Sequence, residues 1–151
     1  MRGGLERINA DLPASAKRSL TFLEWDAIYQ DKAYRDSYVE IKKLYETNEQ
    51  FKKDVQGNSR QVLMNRIGLQ SRVEEVLSVG IEYVLEELSF MLAYNDLDPK
   101  TKPIADHGKT KFVYIYYEPW NVFEKCVNGE YGNAPKEGIG FVIAKIVDLG
   151  N

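Results

Sequence analysis

The sequence predicts an α/β fold, with a mainly parallel sheet flanked by helices in one incomplete domain. Three observations carry the prediction. Short β-prone segments alternate with helical ones along the chain. The runs Phe112–Tyr117 and Gly140–Val147, the latter broken only by Lys145, are apolar rather than alternating, the pattern of strands buried on both faces. Only three strands are readable where such a sheet usually has about four to six, so the domain reads as incomplete.

The elements follow in order. Residues 1–16, with Gly3-Gly4 and Pro13, read as a flexible N-terminal arm. Ser19–Trp25 is short and β-prone, a buried strand. Asp31 caps a helix over Lys32–Thr47, where Tyr34, Tyr38, Ile41 and Tyr45 recur at spacings of four, three and four. A shorter helix is predicted from Asn48 to Val55. Gly57-Asn58-Ser59 is read as its stop and as the cap of another helix beginning near Arg60. The clearest element is a helix from Gln70 to Tyr94, whose Val73, Leu77, Ile81, Val84, Leu88 and Leu92 form one apolar stripe. Asn95–Lys109 is a loop rich in Asp, Lys and Pro, and Phe112–Tyr117 a strand of β-branched and aromatic residues. Pro119 opens a helix ending near Val127, and Gly140–Val147 closes the chain as a third strand.

Composition narrows the function. The chain has 151 residues, 44% hydrophobic and 28% charged, enough for one packed domain. Its net charge of -3 gives no global basic field for nucleic acid. Basic residues outnumber acidic ones over residues 1–70 and the reverse holds over 71–151, so a polyanion is expected against the first half or a further segment. A single cysteine, Cys126, allows no internal disulfide, and neither a secretory leader nor an uncharged apolar run of membrane-spanning length is present. The expectation is a cytoplasmic, soluble protein.

Tyr83 and Glu87 stand four residues apart and share one face of the long helix. Val76, Gly80, Phe90 and Met91 flank that face, and Gly80 leaves room for something to approach. A carboxyl in apolar company has a raised pKa and suits general acid/base work near neutral pH. The alternative is a surface Tyr–Glu pair on an ordinary amphipathic helix. Tyr116 and Tyr117 end a buried strand, where open α/β sheets place their ligands; the alternative is that they fill the core. His107 is the only histidine, which argues against a metal site, and Cys126 reads as a packing residue. Lys42, Lys43, Lys52, Lys53, Arg60 and Arg66 meet either phosphates or water beside Glu40, Glu46 and Asp54.

At Ile81-Glu82-Tyr83-Val84-Leu85-Glu86-Glu87-Leu88, continuing into Ser89-Phe90, the chain resembles the signature helix of tRNA-dependent cyclodipeptide synthases. The likeness resumes at Tyr116-Tyr117-Glu118-Pro119-Trp120 and at Gly138-Ile139-Gly140-Phe141-Val142-Ile143, in the family's order and spacing across most of residues 17–147. It implies a Rossmann-like domain related to class I aminoacyl-tRNA synthetases, with residues 17–151 as its C-terminal portion. It implies an aminoacyltransferase that forms cyclic dipeptides (diketopiperazines) from two aminoacyl-tRNAs per cycle, with no metal or cofactor. On that carry-over Tyr83 anchors the amino group, Glu87 anchors it or shuttles protons, and Tyr116 serves the nucleophile or oxyanion region. Tyr117 and Gly80 line the substrate; Tyr117 stands where the family has His or Pro, and Ser89 where many members have Pro.

The family's N-terminal strand and serine nucleophile have no counterpart in this sequence. None of Ser15, Ser19, Ser37, Ser59, Ser71, Ser78 and Ser89 is read in a strand-to-helix loop of the required kind. The expectation is therefore a synthase that needs a separate N-terminal half as partner. The alternatives are a degenerate, non-catalytic homologue that still binds aminoacyl-tRNA, and a helix-rich interaction module in which Tyr83 and Glu87 are incidental.

Overall fold

The computed structural model describes residues 25–66, 68–98, 112–117 and 121–144. The predicted arm, most of the predicted Ser19–Trp25 strand, the loop holding His107 and the last residues of the predicted closing strand lie outside these. Trp25 opens a helix, α1, over Trp25–Gln30.

Helix α2, Lys32–Thr47, has the predicted bounds. Asp31 caps it, Oδ1 accepting from the Ala33 amide at 2.9 Å. Its Oδ2 accepts from the Asp98 amide at 2.9 Å, which ties the start of α2 to the end of the long helix. Asn48 ends α2 and begins α3, its side chain accepting from the Phe51 amide at 2.8 Å.

Helix α3 runs unbroken over Glu49–Met64, where the sequence predicts a stop at Gly57-Asn58-Ser59. Asn58 and Ser59 are 5% and 0% exposed. The Ser59 hydroxyl donates to the Val55 carbonyl at 2.8 Å, one turn back, instead of capping a new helix. Burial of Val55, Val62 and Leu63 on both sides carries the helix through the local stop signal.

A 3-10 turn, Gln70–Arg72, leads into the long helix α4, Val73–Ala93, and a second, Tyr94–Asp96, leaves it. Glu74 and Glu75 sit in its first turn, where the helix dipole favours anions. Strand β1, Phe112–Tyr117, helix α5, Asn121–Val127, and strand β2, Ile139–Ala144, follow. The two strands pair in parallel, from Phe112 opposite Ile139 to Tyr117 opposite Ala144. A parallel pair needs a crossover connection, and α5 lies within it.

The expected architecture, a mainly parallel Rossmann-like sheet flanked by helices, is overturned. The described residues are dominantly helical, and their β structure is limited to the β1–β2 pair. The main core is helix against helix: Ile41 of α2, Phe51 and Val55 of α3, Val84, Leu85, Leu88, Met91 and Leu92 of α4, and Val122, Phe123, Cys126 and Val127 of α5. The partly buried Leu44, Tyr45, Ile81 and Ile139 pack against it. The apolar stripe of α4 finds its complement on α2 and α3, so no sheet is needed to bury it.

The turn after α5 fastens to α3. Tyr131 packs edge-on against Phe51, ring centroids 4.9 Å apart. Asp54 Oδ2 accepts from the Tyr131 hydroxyl at 2.7 Å and from Lys125 Nζ at 2.9 Å. Gly129 has φ +75°, and a Cβ there would lie 2.7 Å from the Asn133 carbonyl oxygen, so the turn admits only glycine. A second cluster, Ile28, Tyr34, Ala93, Tyr94 and Leu97, seals α1 against the end of α4. Among the described residues no helix is long and apolar enough to cross a membrane.

Candidate functional site

Helix α4 carries two rows of polar side chains, each with i, i+4 spacing. Glu82 and Glu86 form one; Tyr83 and Glu87, the pair singled out in the sequence, form the other. The Tyr83 hydroxyl lies within the electrostatic reach of the Glu87 carboxylate. Tyr83 is 45% exposed, whereas Glu87 is partly buried with Oε2 sealed from solvent. Burial, then the charge of Glu87 and the hydrogen bond to it, raise the Tyr83 pKa above its ordinary value, and Arg66 opposes the rise. The pair thus presents a hydroxyl that stays protonated at neutral pH, beside a carboxylate oxygen and within reach of a cation's field.

The flanking residues divide. Val79 is 69% exposed on the Tyr83 side of the helix, and Met64, at the end of α3, is 60% exposed. Met91 is fully buried in the core, and Phe90 packs edge-on against Tyr94 with ring centroids 5.8 Å apart. The room read at Gly80 is taken by the protein itself, because a Cβ there would meet Leu63 Cδ1 at 2.9 Å and Ser59 Cβ at 3.5 Å. Gly80 brings α3 close to α4 one turn before Tyr83. Tyr116 and Tyr117 are the last residues of β1, opposite Ile143 and Ala144.

The Glu82–Glu86 row is what the sequence reading missed. Glu82 Oε2 accepts from Lys42 Nζ at 2.8 Å, and its Oε1 accepts from the Tyr38 hydroxyl. Glu86 Oε2 accepts from the Tyr29 hydroxyl at 3.3 Å. Burial alone raises the Glu82 pKa, but the hydrogen bonds from Lys42 and Tyr38 and the charge of Lys42 outweigh it, holding the carboxyl below its ordinary value. The repeat of Glu at 82 and 86 was the available signal; its partners, 40 to 57 residues away, were not.

Of the basic residues weighed as phosphate contacts, Lys42 is engaged by Glu82 and Arg60 by Glu74 at 2.8 Å. Cys126 is fully buried and its thiol is pushed up to about 12 by desolvation, which removes it as a nucleophile at neutral pH. Among the described residues no group of three or more His, Cys, Asp or Glu side chains is placed to hold a metal ion.

Against models of protein families, the chain matches the one described as cyclodipeptide synthase over residues 5–145. No curated protein and no solved structure matches it.

Proposed function

The chain belongs to the cyclodipeptide synthase family, and from that premise we propose that it takes aminoacyl-tRNAs as substrates and joins their aminoacyl groups into cyclic dipeptides. Tyr83 and Glu87 hold the reacting amino group. The observation that supports this most is their pairing: a hydroxyl and a carboxylate four residues apart on one helix face, electrostatically coupled, the carboxylate partly buried.

The chemistry follows from the groups. An α-ammonium is a triple donor and meets the Glu87 carboxylate as a charge-assisted partner. It must lose a proton to attack. Glu87 accepts that proton as the amine nitrogen bonds to the acyl carbon of the other aminoacyl ester. The ester C–O bond breaks, and the departing hydroxyl oxygen regains a proton. A second attack of the same kind closes the ring. Tyr83, protonated at neutral pH, stands beside Glu87 as a donor that orients the carboxylate toward the amine. Tyr116 donates to the oxyanion that develops on the attacked carbonyl, and Tyr117 lines the substrate.

Binding is the first test, because it needs no acyl acceptor. The probe is an RNA minihelix ending in an aminoacyl group through a stable amide, against the same minihelix uncharged. The charged form is expected to bind the wild-type chain about tenfold more tightly, the worth of one charge-assisted hydrogen bond. Glu87→Ala is expected to abolish that difference and leave the uncharged affinity unchanged. Equal affinity of the wild type for both forms would refute the reading.

A further inference from the structure

We propose that Glu82 is a positioning residue: pinned to α2 by Tyr38 and Lys42, it sets the rotation of α4 and so the direction in which Tyr83 and Glu87 present the site. The inference rests on the proposed role of that pair and extends it to residues outside the site.

The argument begins with helix geometry. Successive residues are about 100° apart around the axis, so the Glu82–Glu86 row and the Tyr83–Glu87 row turn together. Lys42 Nζ lies 2.8 Å from Glu82 Oε2, the Tyr38 hydroxyl donates to Oε1, and the Tyr29 hydroxyl reaches Glu86 Oε2 at 3.3 Å. The partner side is itself fixed. Tyr38 stacks on the buried Tyr34 with ring centroids 6.1 Å apart, and the Lys42 ammonium lies 5.5 Å from the centroid of the Tyr38 ring. Both carboxylate oxygens of Glu82 are therefore held by donors that have little freedom to follow a turning helix.

Apart from the exposed Arg60–Glu74 ion pair in its first turn, α4 is held elsewhere mainly by apolar contact, which is non-directional and sets separation more than rotation. At Gly80 the helix offers no side chain to interlock with Leu63. Hydrogen bonds weaken steeply with angle, so the Glu82 contacts resist a roll that packing tolerates. A roll of about 10° moves a side-chain tip roughly 5–6 Å from the axis by about 1 Å. At a reacting centre a misplacement of that size costs on the order of 100-fold.

The test reads the charged-to-uncharged affinity ratio for the amide-linked minihelix in Glu82→Gln, with Tyr38→Phe as the milder variant. Each is melted alongside to establish folding. Glu82→Gln keeps the shape and an acceptor for Tyr38 but removes the ion pair with Lys42. The expected result is a ratio falling from about tenfold to about twofold or less, with uncharged affinity unchanged. A merely structural role lowers both affinities together and leaves the ratio, which overturns the proposal, as does a wild-type ratio in both variants. The site reading fails separately, when the wild type itself shows no ratio or Glu87→Ala leaves it intact.

Discussion

Gly80 of α4 faces Leu63 of α3 so closely that a Cβ on the glycine would lie 2.9 Å from Leu63 Cδ1 and 3.3 Å from its Cγ. Glycine in a helix interior costs about 1 kcal/mol against alanine, so its place here is explained by the contact. Gly80→Val forces the two helices apart one turn before Tyr83, and the melt is expected to show a loss of about 1–3 kcal/mol. Leu63→Ala removes the atoms in the way. The double variant is therefore expected to be more stable than the sum of the two single losses, a coupling read from a double-mutant cycle.

Asp54 joins α3 to α5 and the turn behind it through Lys125 and Tyr131, and also accepts from Gln50 one turn back on α3 itself. Burial alone raises its pKa, but the three hydrogen bonds and the charge of Lys125 outweigh that, leaving the carboxyl below its ordinary value. A carboxyl lowered in the folded state contributes stability that is present above its unfolded pKa of about 3.9 and is lost as pH falls through the folded value. Asp54→Asn is expected to cost about 1–3 kcal/mol at pH 7, where Lys125 and Tyr131 lose their charged acceptor. Denaturant melts from pH 7 to pH 2 are expected to show a smaller acid loss in the variant than in the wild type.

The single thiol offers a probe of the helical core. Cys126 is fully buried, and its thiol is pushed up to about 12. A thiol reagent at pH 8 is expected to leave the native chain unlabelled and to label it fully in denaturant. Rapid native labelling would contradict the packing of α5 against α3 and α4.

What was legible in the sequence was local. The bounds of α2 and the course of α4 follow from apolar residues recurring at helical spacing, and Tyr83 and Glu87 were readable because four residues on a helix is one face. Gly57-Asn58-Ser59 misled because its residue types are stop signals, and the burial of Asn58 and Ser59 against neighbouring elements overrode them. The fold class was misread for a related reason. Phe112–Tyr117 and Ile139–Ala144 do form strands that pair in parallel, but nothing local tells whether the stripe of α4 buries against a sheet or against α2 and α3. The Tyr38–Glu82 contact spans 44 residues of sequence and has no local signature. Gly80 was read as open space because the side chain that fills it, Leu63, comes from another helix.

The central claim is that Tyr83 and Glu87 serve amide formation between aminoacyl groups. The most direct measurement is mass spectrometry of cyclic dipeptides formed from charged tRNAs by the purified chain, with and without a family member's N-terminal segment added in trans. The account predicts product from the wild type in at least one of these conditions, reduced by on the order of 100-fold or more in Glu87→Gln, with a smaller loss in Tyr83→Phe. Product at wild-type levels in both variants, or none from the wild type under either condition, would contradict it.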